Sequence, residues 1–212
     1  MKKRIWKMEY TLVLLVVFAV LLFLIPTSFS SKEAVFVSEW NAKYNKIEYT
    51  FTAMSAHAES DIIKNFKKAK SGEQKEKYMI KLAKPYLRLK NLNPIIKEHY
   101  VPHYMNGKPV KKDDFYYFSN LYESDTDSIV GIKDIPDTAE DAPGFMIMVD
   151  MNGIKKPNRW GKDIYGVNVY KTGQIAALGK DKNIKELRKD CSEKGSGVAC
   201  SHFYRIGGEF SE

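Results

Sequence analysis

The stretch VFVSEWNAKYNKIEYTFTAMSAHAESDIIKNF, residues Val35 to Phe66, decides how the chain is read. Apolar side chains recur at Phe36, Trp40, Tyr44, Ile47, Phe51, Met54, Ala58, Ile62 and Phe66, always three or four residues apart. That period is the mark of a helix with one apolar face. Residues 31–70 hold no Gly or Pro, and Ser71-Gly72 supplies a stop. The spacing predicts a helical stem over residues 31–70 whose apolar stripe must be covered by another layer.

Upstream of the stem, Thr11 to Ile25 carries no charge, and a helix needs roughly 20 apolar residues to cross a ~30 Å hydrocarbon core. Met8 and Tyr10 before the run and Pro26 to Phe29 after it extend it to that length, with Trp6 and Tyr10 suited to the interface. Lys2, Lys3, Arg4 and Lys7 form a basic start that is expected to stay cytoplasmic. The expectation is a leader over residues 1–9, a single-pass inner-membrane anchor over 10–30, and an extracytoplasmic domain over 31–212. A cleaved signal peptide is the rival reading, because Ser28-Phe29-Ser30 offers small residues at a cleavage position. The helical stem that starts where the apolar run ends favours the anchor, with Pro26 as a kink between them.

Downstream, residues 71–112 read as further helix and loop, with a break at Asn93-Pro94. Strand signals follow in Asp114 to Leu121, Phe145 to Val149, Ile164 to Tyr170 and Gln174 to Leu178, with Gly173 placed for a short hairpin. Glu123 to Gly144, rich in Asp, Ser and Pro, reads as a loop. The predicted fold is α+β: a long N-terminal helix, membrane-embedded and then amphipathic, packed on an antiparallel sheet within residues 113–212.

Order and spacing of these parts resemble the type IV pilin and type II secretion pseudopilin superfamily, in which a short basic leader, an apolar stretch, a Pro and a long amphipathic helix follow one another. In that family the leader is cut after a Gly, the fifth mature residue is Glu and the twenty-second is commonly Pro. With Ile5 as the first mature residue, Glu9 is the fifth and Pro26 the twenty-second, while Arg4 stands where the family has Gly. The resemblance implies cleavage between Arg4 and Ile5, and a Glu9 that neutralises the N-terminal ammonium of a neighbouring subunit. Glu9 as a residue that only flanks the span stays open beside it. The resemblance further implies a pilin-like structural subunit, a minor pilin or pseudopilin, whose partners are the membrane and other pilin-like subunits. A non-polymerising, exported or tethered binding protein of the same fold is the alternative.

Asp150-Met151-Asn152-Gly153 opens a loop that closes at Asp163 and resembles the D-x-N-G…P-N…G-x-D loop of a group of pseudopilin-like proteins. Oxygen side chains around a Gly turn suit a hard cation, so Asp150, Asn152, Asn158 and Asp163 are candidate Ca²⁺ ligands. A turn held by Asx hydrogen bonds is the other reading. Cys191 and Cys200, an even count in an exported domain, read as one disulfide.

The whole chain has 212 residues, a formal net charge of +8 and 44% hydrophobic residues, enough apolar material for a core, which excludes a disordered tail. Residues 61–90 are basic and residues 113–141 acidic. Lysine-rich helix faces without interleaved arginine and aromatic residues do not read bases, so no nucleic-acid partner is expected. G-x-S-x-G, H-E-x-x-H, P-loop and G-x-G-x-x-G patterns do not occur in the sequence. Pro102 separates His99 from His103 on any one helical face. An enzyme is not expected.

Overall fold

A computed structural model describes residues 2–57, 72–124, 127–136, 142–170 and 172–209. Side chains of the first helix are described at residues 10–20, 34–54 and 56. The chain divides into two compact units, Met1–Ser38 and Glu39–Glu212.

Helix α1 runs Lys2–His57. Its described apolar part, residues 10–20, reaches about 16 Å at 1.5 Å per residue, roughly half of a hydrocarbon core. Among the described residues no helix is long and apolar enough to cross a membrane. This corrects two expectations from the sequence, the membrane-embedded first half of the fold and the single-pass inner-membrane placement. Both had counted Trp6, Met8 and Pro26 to Phe29 toward the span, and those side chains lie outside the described residues. So do those of Arg4, Ile5 and Glu9, and the last part of the expected stem, residues 58–70.

The second unit is built on one antiparallel sheet in which strand order follows chain order: β1 (Lys90–Asn91), β2 (Leu121–Glu123), β3 (Ile129–Asp134), β4 (Pro143–Asp150), β5 (Ile164–Tyr170) and β6 (Ile175–Ala177). The central register pairs Ile147 with Ile132 on one side and with Val167 on the other, and Asp150 with Ile129 and Ile164. Side chains alternate between faces, so Phe145, Ile147 and Val149 share one face with Tyr165, Val167 and Val169. Met146, Met148 and Asp150 share the other with Ile129 and Ile164. Every residue of β4 from Gly144 to Asp150 is buried, because both faces are covered. That is why FMIMV is apolar without a break.

The first face lies under α1, whose Trp40, Tyr44, Ile47, Phe51 and Met54 are all buried, in the predicted three-and-four spacing. Trp40 stacks on Tyr165 with ring centroids 5.0 Å apart, and its indole N–H donates to the Ser201 carbonyl at 2.9 Å. The Arg205 guanidinium lies 3.5 Å from the Tyr44 ring centroid. Helix α2 (Gly72–Leu87) buries Met79, Ala83 and Leu87, and its Glu76 carboxylate accepts from the Asp134 backbone N–H and the Asn120 amide, which ties the helix to β3.

The other face carries a second core of Leu92, Tyr100, Phe118, Met146, Met148 and Trp160. Short helices α3 (Pro94–His99), capped by the Asn93 side chain, and α4 (Ile184–Asp190), capped by an Asn183–Glu186 box, flank it in sequence. Two local readings change. Residues 114–121, aromatic enough to suggest a strand, form turns closed by Asp114 N–H to Lys111 and Tyr117 N–H to Asp114, and only Leu121 enters a strand. The stretch 123–144, expected to be loop, holds β3, where a Cβ on Gly131 would stand 2.9 Å from the Phe118 ring, so the small residue that weakened the strand signal is what lets Phe118 pack.

Candidate functional site: two interlocked loops

The loop from Asp150 to Asp163 leaves the end of β4 and returns at the start of β5, so both carboxylates are set by strand ends. Both side chains are fully buried, at 0% exposure. Asp150 Oδ2 accepts from the Tyr100 hydroxyl at 2.7 Å and Oδ1 from the Asn152 N–H at 3.3 Å. Asp163 Oδ2 accepts from the Asn158 N–H at 2.9 Å and Oδ1 from the Arg159 N–H at 2.6 Å, and its backbone carbonyl takes the Met151 N–H. Burial and the neighbouring Asp163 charge push the Asp150 carboxyl up to about 8, against the pull of Tyr100 and of the Asn152 and Gly153 N–H groups. Burial also raises Asp163, opposed by donors at the Arg159 and Asn158 N–H groups, the Asn152 side chain and its own N–H. Burial, then the Asp150 charge, hold the Tyr100 phenol well above its ordinary range.

Asp150, Asn152 and Asp163 are therefore brought together as the sequence suggested. Asn158 joins through its backbone, at φ 49°, a left-handed conformation that Asn tolerates. Its amide, oriented to satisfy both ends, donates to the Lys155 carbonyl at 2.6 Å and the Gly153 carbonyl at 3.3 Å. Gly153 is required where it stands: at φ 69°, a Cβ would lie 2.3 Å from the Asp127 carbonyl.

The chemistry of this donor set suits a hard cation, but each carboxylate oxygen already accepts an N–H or O–H, so an ion could use only the remaining lone pairs. Asn152 Oδ1, buried without a partner, is the carbonyl best placed to join it. The N–H groups of Asn152, Asn158 and Arg159 and the Tyr100 hydroxyl meet these oxygens.

A second loop, from Cys191 to Cys200, is closed by the expected disulfide, with both sulfurs buried. The Asp190 carboxylate organises it, accepting from Ser196 N–H at 3.0 Å, Ser196 hydroxyl at 2.6 Å and Ala199 N–H at 2.8 Å. The segment His103–Gly107 joins the two loops. His103 N–H donates to Asn158 and its carbonyl accepts from Trp160, while Met105 and Asn106 donate to Ser196 and Gly195. At the crossing, Gly161 would place a Cβ 2.4 Å from Met105 Cε and 2.8 Å from Cys200 Sγ.

Comparison with family models, curated proteins and solved structures finds no match. The site stands on its own geometry. Tyr100 and Asp190 were not singled out in the sequence. Tyr100 has no local signal, since it meets Asp150 from 50 positions away, but an Asp directly before a Cys and six residues before a Ser is a readable turn former.

The disulfide closes a short loop whose ends Asp190 and Ala199 already hold. Replacing both cysteines with Ser is expected to lower unfolding free energy by about 2.7 kcal/mol through the freed unfolded chain. Chemical denaturation of parent and double variant measures it, and equal midpoints would show that the Asp190 hydrogen bonds alone close the loop.

Proposed function

We propose that the chain is a pilin-like structural subunit that acts by assembly rather than by chemistry. The observation that carries this reading is the surface of α1 over residues 10–20, where Leu12, Leu14, Leu15 and Phe18 are each more than 60% exposed and every described residue is exposed. A helix apolar on all sides is stable only when something covers it. Copies of the same helix, side by side, supply that cover. The two buried carboxylates support the same reading, since a general acid or base must reach a substrate and these are closed in by the Tyr100 hydroxyl and by N–H groups of their own loop.

The chain with Leu14→Cys, treated with a long bis-maleimide cross-linker at increasing protein concentration, is expected to give covalent dimers, because packed copies hold these helix faces near one another. Leu14→Glu together with Val17→Glu is expected to return the protein to a monomer in sedimentation, with the melting temperature of the Glu39–Glu212 unit unchanged. A parent chain that stays monomeric at all concentrations overturns the proposal.

A further inference from the structure

Among the described residues, the sheet face away from α1 is not covered along its whole length. Beside β5 and β6 a cleft of about 880 Å³ lies open, within the size range of small-ligand sites. One wall is Phe115 and Tyr116, whose rings meet edge to face at 82° with centroids 5.2 Å apart, and Tyr170 borders the cleft from the end of β5. Asn168, paired with Met146 across the sheet, lies on the floor. The turn after β6 supplies Lys180, Asp181 and Lys182, and the disulfide loop supplies Ser196.

Two properties of this lining select a ligand class. Aromatic carbon and polar groups share it, so the occupant needs an apolar face to lie on a ring and a polar edge to reach amide, hydroxyl, carboxylate and ammonium groups. Among the lining residues Lys180 and Lys182 are balanced by Asp181 and Asp190, and the Lys133 ammonium at the Phe115 wall is already held over that ring, 5.1 Å from its centroid, and on the Phe115 carbonyl, so the lining itself has no preferred charge for an ionic ligand. Phe115, at 52% exposure, is a large ring that the fold itself does not bury. Asp181 and Asp190 lie near enough to Tyr116 to raise its phenol, after burial, which keeps that hydroxyl a donor.

We infer that this cleft binds a neutral saccharide, with C–H faces of the sugar against Phe115 and Tyr170 and hydroxyls on Asn168, Asp181 and Lys180. Every lining residue of the cleft belongs to the Glu39–Glu212 unit, so the inference does not rest on the proposed assembly through residues 10–20. Trp160 touches Tyr116, with centroids 5.7 Å apart, so indole fluorescence reports occupancy.

The full chain is titrated with maltotriose, cellotriose and the trimer of N-acetylglucosamine, beside a sulfated trisaccharide and a trilysine peptide as charged probes. One neutral trisaccharide is expected to bind with a dissociation constant below about 1 mM, and Phe115→Ala and Tyr170→Ala each to weaken it about tenfold. Phe115→Trp should restore what Phe115→Ala loses, and melting temperatures should stay at the parent value. No neutral probe binding up to about 10 mM overturns the inference. So does binding that both alanine variants leave unchanged, or a charged probe that binds more tightly than every neutral one.

Discussion

Trp40→Ala is expected to destabilise the Glu39–Glu212 unit by about 4 kcal/mol, the range for emptying a buried Trp site. The indole has 0% exposure, so its removal leaves a cavity that the sheet beneath cannot fill. It also breaks the stack on Tyr165 and leaves the Ser201 carbonyl without its 2.9 Å donor. Trp40→Phe keeps much of the apolar volume and loses the donor, so it should cost less, about 2 kcal/mol. Urea midpoints at constant slope measure both. A loss under about 1 kcal/mol for the alanine variant would mean that the α1 stripe is not part of the cooperative core.

The second large effect is in pH. Asp150 has its carboxyl raised to about 8 in the folded chain, against about 4 when unfolded. The folded state then holds a proton that the unfolded state has released, so stability falls as pH rises between those two values. The raised Asp163 carboxyl contributes with the same sign. At about 1.4 kcal/mol per pH unit, the fall between pH 5 and pH 8 in chelator is on the order of 3 kcal/mol. Asp150→Asn, neutral at every pH and still able to accept from Tyr100, should flatten most of that slope. A parent whose stability is level from pH 5 to pH 8 in chelator refutes the assignment. Millimolar Ca²⁺ makes the same experiment a test for the ion, because a bound cation favours both carboxylates ionised and turns the slope upward. The same curve in Ca²⁺ and chelator identifies the loop as a turn held by its own hydrogen bonds.

How far the fold could be read depended on whether the signal was local. The stripe Trp40, Tyr44, Ile47, Phe51 and Met54 is a period in the chain, and burial by the sheet follows from it. Ile164–Tyr170 is a strand over its whole predicted length, because its β-branched and aromatic residues face two cores. β3 was hidden because Gly131 serves Phe118 rather than the strand, and residues 114–121 misled because Phe118, with Tyr116 and Tyr117 packed against it, fills the second core from turns. The membrane reading failed on length, since the described apolar run stops short of a span. At the site, Asp150, Asn152 and Asp163 carried their pattern in fifteen residues or fewer, whereas the Tyr100 hydroxyl that reaches Asp150 could be found only in three dimensions.

The hydrogen bond from Trp40 to Ser201 joins residues 161 positions apart. A ribosome delivers the chain from its N-terminus, so the apolar stripe of α1 is made before the strands and the Ser201 segment that close over it. Throughout synthesis β2 to β6 can add hairpin by hairpin, each strand finding the one before it, while Trp40 waits without its final partner. During synthesis the stripe of α1 therefore stands without the Tyr165 ring until β5 has been made, and without its last hydrogen-bond partner until Ser201 follows.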